Sequence, residues 1–293
     1  MAVHAHPDDE SIGTGGILSK YAAEGVKTSL VFGTRGEAGE ILNPEFVPPS
    51  PEMSIKEIRA RELEKALKVL RVESAYFLEY RDSGISGSPE CHHPEAFAHA
   101  DLGEATGKLV EIIRTIRPHI IVTYNEKGFY GHPDHIMANR VTRRAFHSAG
   151  DPEFACGHGL DPWRPTKLYY TATPIARLRM LYKMTLERGE EPGFDPEVLG
   201  TPEEELTTII DVRNYLPQKL KALFSHQSQI GPDSFFKRIP EEWREEVFGF
   251  EYFVCVKGCS PTGRKEKDLF EGLGRESADS RKNGQIFEFD KKL

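Results

Sequence analysis

Two short segments carry the chemistry of this chain: AHPDDE at residues 5–10 and GHPDH at residues 131–135. Together they supply the side chains of a catalytic zinc site, which takes three protein ligands and leaves a fourth position open to water. His6 and Asp9 lie three apart across Pro7, which stiffens the turn so that both can converge on one ion. Asp8, between them, points elsewhere and is left over as a base. Pro133 suits the first position of a helix, which puts His132 at the helix entrance and His135 on its first turn. One of these two histidines completes the ligand set. Concentrating Asp8, Asp9 and Glu10 beside a strand end is costly without a cation to balance them, so packing alone does not account for the cluster. His4, His99, His119 and His147 stand singly, as surface or hydrogen-bonded core histidines do, and His92 with His93 is not expected to form a second metal locus.

Both segments need strands to deliver them. Residues 1–5 read as a strand running into the first segment, residues 13–24 as a helix, and 28–32 as a buried strand, which is the length of one βαβ unit. The alternation continues with a helix at 54–70, a strand at 75–78, a helix at 102–116 and a β-branched strand at 120–123. The expected fold is therefore α/β, Rossmann-like, with a mostly parallel sheet and helices on both faces. Ligands of such sheets collect beyond the carboxyl ends of the strands, where both segments fall. Further strands are expected near 168–171, 207–210 and 251–256. Residues 1–259 read as one catalytic domain, with the core segments in 1–150 and pocket elements in 151–259. Residues 260–293 read as a charged extension, either mobile or an arm packing on a neighbouring subunit of a homo-oligomer. The long connections at 34–53 and 81–99 lie beside the expected site as walls or lids.

Composition narrows the partners. A net charge of -8 argues against a phosphate backbone as ligand, so no nucleic acid is expected, and a small neutral substrate fits better. No apolar run approaches the roughly 18 residues of a membrane span, and the start lacks a basic segment leading into an apolar one, so a cytoplasmic protein with no membrane partner is expected. The four cysteines form no C-x-x-C pair and read as reduced thiols. Gly13-Thr-Gly-Gly16 is a glycine-rich helix entrance without the dinucleotide spacing.

The paired segments resemble those of the LmbE-like, or PIG-L, family of zinc-dependent N-deacetylases, which act on N-acetylglucosamine units and related amides. The resemblance extends through Thr34-Arg-Gly-Glu37, the helix with Arg59, Glu62, Ala66 and Leu70, Arg81-Asp-Ser-Gly84 and Tyr130-Gly-His132, and covers about the first 150 residues; His226-Gln-Ser-Gln229 is a weaker echo. Arg71 departs from it, since the family often has glycine at that helix end. Carried over, the resemblance implies His6, Asp9 and His135 as ligands of Zn2+, Asp8 as general base, and Arg59 and Asp82 as contacts to sugar hydroxyls. Without that resemblance, Arg59 would merely pair with Glu62 on its own helix and Asp82 would cap a turn; Arg35 and Glu37 are similar but weaker candidates. A His2Asp set also accepts Fe2+, Co2+ or Ni2+.

The expected reaction is removal of an acetyl group from an N-acetylglucosamine-type substrate by zinc-bound water, with Asp8 taking the proton and protonated His132 holding the developing oxyanion opposite the metal. Tyr130 could add a hydroxyl donor there, and Asp134 could orient a neighbouring histidine. Two alternatives stand beside this reading: an amidase removing a larger acyl group from a glucosamine-containing thiol conjugate, and a sugar-binding module with no catalysis.

Overall fold

The computed structural model describes residues 1–156, 159–261 and 263–273. Its first strands and helices are β1 (Ala2–His4), α1 (Asp9–Gly13), α2 (Gly15–Ala23), β2 (Ser29–Thr34), α3 (Ile55–Leu70), β3 (Ser74–Tyr80), α4 (Leu102–Ile116), β4 (Ile120–Thr123) and α5 (Pro133–Ser148). After these come β5 (Lys167–Ala172), α6 (Ile175–Glu187), α7 (Pro196–Leu199), β6 (Thr208–Asp211), α8 (Leu216–Leu223), α9 (Phe235–Arg238), α10 (Glu241–Phe248) and β7 (Phe250–Lys257).

The strands form one seven-stranded sheet in the order β3-β2-β1-β4-β5-β7-β6. The first five pair in parallel, and β7 joins β5 and β6 antiparallel. The chain turns back at β1 and β4, so the crevice of an open α/β sheet opens beyond the ends of these two neighbours. The expected fold class is the one found.

Alternation along the buried strands divides the core between the two faces. Val3, Val31 and Ile121 pack with Leu109, Ile113 and Val141 of α4 and α5. Ala2, Leu30, Phe32 and Val122 pack with Ile17, Leu63 and Leu70 of α2 and α3, together with Ala222 of α8. Each face thus anchors one helix that carries candidate site residues, α5 on one side and α3 on the other.

Local signals set the helix ends. Ser54 and Glu57 form a reciprocal capping box at the start of α3. Arg71 closes that helix in the left-handed conformation, φ 57°, where glycine would carry no Cβ penalty. The single helix expected over 13–24 is divided. Thr14 breaks it, its hydroxyl donating to Glu10 O at 3.0 Å, so that a separate turn carries Asp9 and Glu10.

The expected boundary at 259 does not mark the end of the packed body. Glu266 and Leu269 are buried, and Glu266 lies against Thr208 in a short bridge. The rest of the charged extension, 274–293, lies outside the described residues.

Candidate active site and metal centre

β1 runs straight into His6, Pro7 and Asp8, and Asp8 is the N-cap of α1. β4 leads through a short loop to His132, the N-cap of α5, with Pro133 first in the helix and His135 within its first turn. Because β1 and β4 are neighbours, two segments distant in sequence share one crevice. The His6 and His135 rings lie 5.5 Å apart, and those of His6 and His132 4.6 Å.

Counting lone pairs distinguishes the three histidines. His6 Nε2 faces Asp134 Oδ2 at 3.1 Å and Asp82 Oδ1 at 3.5 Å, so the ring proton belongs there and the Nδ1 lone pair is left towards Asp9 Oδ2 at 3.4 Å. His132 Nδ1 accepts from the Asp134 backbone N–H at 3.2 Å, which puts its proton on Nε2 and makes that nitrogen a donor rather than a ligand. His135 stacks on Tyr124 with ring centroids 4.1 Å apart, and neither of its buried nitrogens has a hydrogen-bond partner. Its Nε2 stands 3.4 Å from Asp9 Oδ1, while Asp9 Oδ2 accepts from the Tyr124 hydroxyl at 2.7 Å and the His6 backbone N–H at 2.9 Å.

An orphaned imidazole nitrogen facing a carboxylate in a buried pocket is costly by itself and fits a divalent cation. His6, Asp9 and His135 can supply that donor set, although His6, His132 and His135 also bring one nitrogen each within 4.8 Å of one another. His6, Asp82 and Asp134 form another such group. There the carboxylates are already engaged: Asp134 accepts from the Ser83 hydroxyl and from its N–H at 3.0 Å, and Asp82 from the N–H groups of Gly84 at 2.8 Å and Ala38 at 3.2 Å. Those hydrogen bonds leave fewer free acceptor positions in this group than at Asp9 and His135.

The electrostatics follow from these contacts. Burial disfavours charge on His6, but Asp134, Asp82 and Asp9 outweigh it and raise its pKa well above the ordinary value, so a cation taking the Nδ1 lone pair would displace a proton from it. Burial also pushes Asp9 up, and the facing His135 and His6 bring its carboxyl well below the usual range. Burial raises Asp8 to about 6 against the pull of Arg59. His132 is lowered to about 4 by burial and by the neighbouring His6 and His135. Burial and the two neighbouring imidazoles thus favour a neutral His132 ring over the protonated one expected, with its N–H on Nε2.

Asp8 adopts φ 123°, a conformation that costs a non-glycine residue of order 1–3 kcal/mol unless its surroundings impose it. Its carboxylate lies 3.3 Å from Arg59 Nη2. Arg59 is buried and spends its other contacts on backbone, Nη1 donating to Gly36 O at 2.9 Å and Nη2 to Pro7 O at 2.5 Å. The pairing of Arg59 with Glu62 is not found, because Glu62 accepts instead from the Ser228 N–H at 2.6 Å and hydroxyl at 2.7 Å. Asp82 does cap a turn, through Gly84, while also facing His6. Tyr130 is 53% exposed, its ring 5.9 Å from His132 and 5.3 Å from His135, at the mouth of the crevice.

A family model described as PIG-L: GlcNAc-PI de-N-acetylase matches residues 1–146. A relative in Thermomonospora curvata, named 1D-myo-inositol 2-acetamido-2-deoxy-alpha-D-glucopyranoside deacetylase, is 42% identical over 93% of this chain and 96% of its own. The chain belongs to the PIG-L family.

Among solved structures, N,N'-diacetylchitobiose deacetylase from Pyrococcus horikoshii is similar with a TM-score of 0.60 and 21% identity, covering 88% of this chain and 83% of its own. A 4-carboxy-2-hydroxymuconate hydratase from Pseudomonas putida shares the fold as well, at TM-score 0.54 and 19% identity, covering 87% of this chain and 94% of its own. The PIG-L scaffold therefore does not by itself specify a reaction, and the site must do so.

Sequence reasoning assigned no part to three residues of this PIG-L site, Tyr124, Ser83 and His226, and missed the partner of Glu10. Tyr124, one residue past β4, fixes Asp9 and stacks on His135. Ser83 holds Asp134, and a buried Glu10–His226 pair lies beneath Asp8. Ser83 and His226 sit in stretches the family resemblance already included, whereas for Tyr124 the only signal was a polar side chain directly after a buried strand.

Proposed function

We propose that this chain is a zinc-dependent N-deacetylase that removes the acetyl group from an N-acetylglucosamine-type substrate, with a glucosaminide of inositol the first candidate. The naming of relatives matched over nearly their whole length supports the substrate class. The observation that carries the chemistry is the convergence of the free donors of His6, Asp9 and His135 beside an unprotonated base and a neutral N–H donor. A divalent ion held by these three would act as a Lewis acid and make a nucleophile of water near neutral pH.

The remaining steps belong to the chain's own groups. Asp8 takes the proton of the attacking water and can return it to the departing amine, a poor leaving group unless protonated. Its raised pKa, about 6, suits it to both tasks. His132 Nε2–H donates to the former carbonyl oxygen as negative charge develops there. Tyr130, at the mouth, can add a hydroxyl donor there. Asp134 holds the His6 tautomer. Asp82 and Arg59, buried beside His6 and Asp8, would offer their remaining acceptor and donor positions to sugar hydroxyls.

The amidase alternative would use the same groups with a larger acyl chain. The binding-module alternative leaves Asp8 and His132 without a purpose. The deciding experiment measures primary-amine release by zinc-loaded protein from N-acetylglucosaminyl-inositol and from a panel of longer N-acyl conjugates, with and without a chelator. Chelator-sensitive release fastest from the N-acetyl compound is the expected result; no release from any of them overturns the reading.

A further inference from the structure

Asp8 holds its unusual backbone conformation against a pair of side chains that the proposed chemistry does not use. Its N–H donates to Glu10 Oε2 at 2.8 Å. The other carboxylate oxygen of Glu10 accepts from His226 Nε2 at 2.8 Å and from the Ser11 hydroxyl at 2.5 Å. Glu10 and His226 are both wholly buried, so this contact is shielded from solvent and from salt.

His226 comes from the far end of the chain, in the turn after α8, and that turn is itself tied down. Ser228 in the same turn donates twice to Glu62 of α3. The helix that carries Glu62 also carries Arg59, which holds the Asp8 carboxylate and the Pro7 carbonyl. The base is thus gripped from two sides, through its peptide by Glu10 and through its carboxylate by Arg59, and both grips are referred to the contact between α3 and the α8 turn.

We infer that His226, acting through Glu10, is a positioning residue for the Asp8 carboxylate. Without the Nε2 donor the Glu10 side chain is free to turn from the Asp8 N–H, and the residue relaxes from φ 123° towards an ordinary conformation, moving its carboxylate off the water. Displacing a reacting group by about 1 Å can cost on the order of 10²-fold in rate. The inference rests on Asp8 being the base.

The test compares His226→Leu, which removes the donor, with His226→Gln, which keeps one at a similar reach, by steady-state kinetics, zinc content and hydrogen exchange at the Asp8 amide. The expected result for His226→Leu is a fall in kcat of about 10- to 100-fold, with KM within twofold, zinc still bound and the Asp8 amide exchanging faster. His226→Gln should recover at least a third of the parent kcat and the protection of that amide. Should His226→Leu not fold, Glu10→Gln carries the test, because its single carbonyl oxygen cannot serve Asp8 and His226 together; at least a fivefold loss in kcat is expected. Parent-like kcat and amide protection in folded, zinc-bound His226→Leu, or in Glu10→Gln, overturns the inference. An inactive parent protein would instead overturn the deacetylase reading, while the amide exchange would still report whether His226 holds the Asp8 peptide.

Discussion

Lys167 and Glu266 anchor one buried polar cluster of this molecule and His6, Asp9 and His135 another, and they differ in what is left over. Around Glu266 everything is paired: it accepts from Lys167 Nζ at 2.8 Å, the Tyr169 hydroxyl at 2.6 Å, the Thr208 hydroxyl at 2.9 Å and the Ser260 N–H at 2.8 Å. At the other cluster both nitrogens of His135 lack partners although they are buried. A saturated cluster joins the last described segment to the sheet, whereas an unsaturated one at a strand end is prepared for something else. Both clusters are buried, and what differs between them is whether the buried groups at their centre are all paired.

The contrast can be broken at several points. Asp8→Asn should lower kcat by about 10² to 10⁴ with zinc content unchanged; more than a tenth of the parent activity in a metal-loaded sample would remove Asp8 as base. The sign of its pH dependence is fixed by the same role. The base works deprotonated, so kcat/KM should fall as pH drops through about 6, and a cation nearby can only move that limb lower. An acid limb centred above pH 7 contradicts this.

Glu266→Ala leaves the Lys167 ammonium buried without its counterion, and urea unfolding should show a loss of about 3–5 kcal/mol while kcat per folded molecule holds. Hydrogen bonds overcome burial and lower the Glu266 pKa in the folded protein. Its contribution is therefore complete above the unfolded value near 4.5 and disappears as pH falls through the lower folded value. Acid unfolding of Glu266→Gln should be correspondingly flatter.

His132→Ala should cost about 2.7–4 kcal/mol of transition-state stabilisation and leave zinc binding intact, as kinetics and metal analysis would show. Loss of the metal in this variant would mean that the tautomer argument is wrong and that Nε2 is a ligand. The smallest expected effect is Arg71→Gly, which relieves a left-handed conformation and should raise stability by up to about 1 kcal/mol with no change in rate. A thermal midpoint no higher than the parent's would show that Arg71 is held by something other than the cap.

Much of this was legible before any coordinates. The βαβ alternation, the strands delivering both segments, and His132 and His135 at the mouth of a proline-led helix all follow from periodicity and from the chemistry of proline. Legibility ended where a side chain's partner came from a distant element. The bland alternative for Arg59, pairing with Glu62 on one helix face, fails because Arg59 meets Asp8 and Glu62 meets Ser228, both from other segments. The protonation of His132 could not be read either, because it depends on a backbone N–H within one turn and on two other imidazoles brought in by folding.

The sequence by itself determined which residue types were present to bind a cation and move a proton, and that strand ends would present them, since local spacing governs both. Only the tertiary structure decided which nitrogen of each ring is free and what steadies Asp8. Those outcomes depend on hydrogen bonds between segments that the sheet order and the packing of α3 against the α8 turn bring together, and no local pattern records such a meeting.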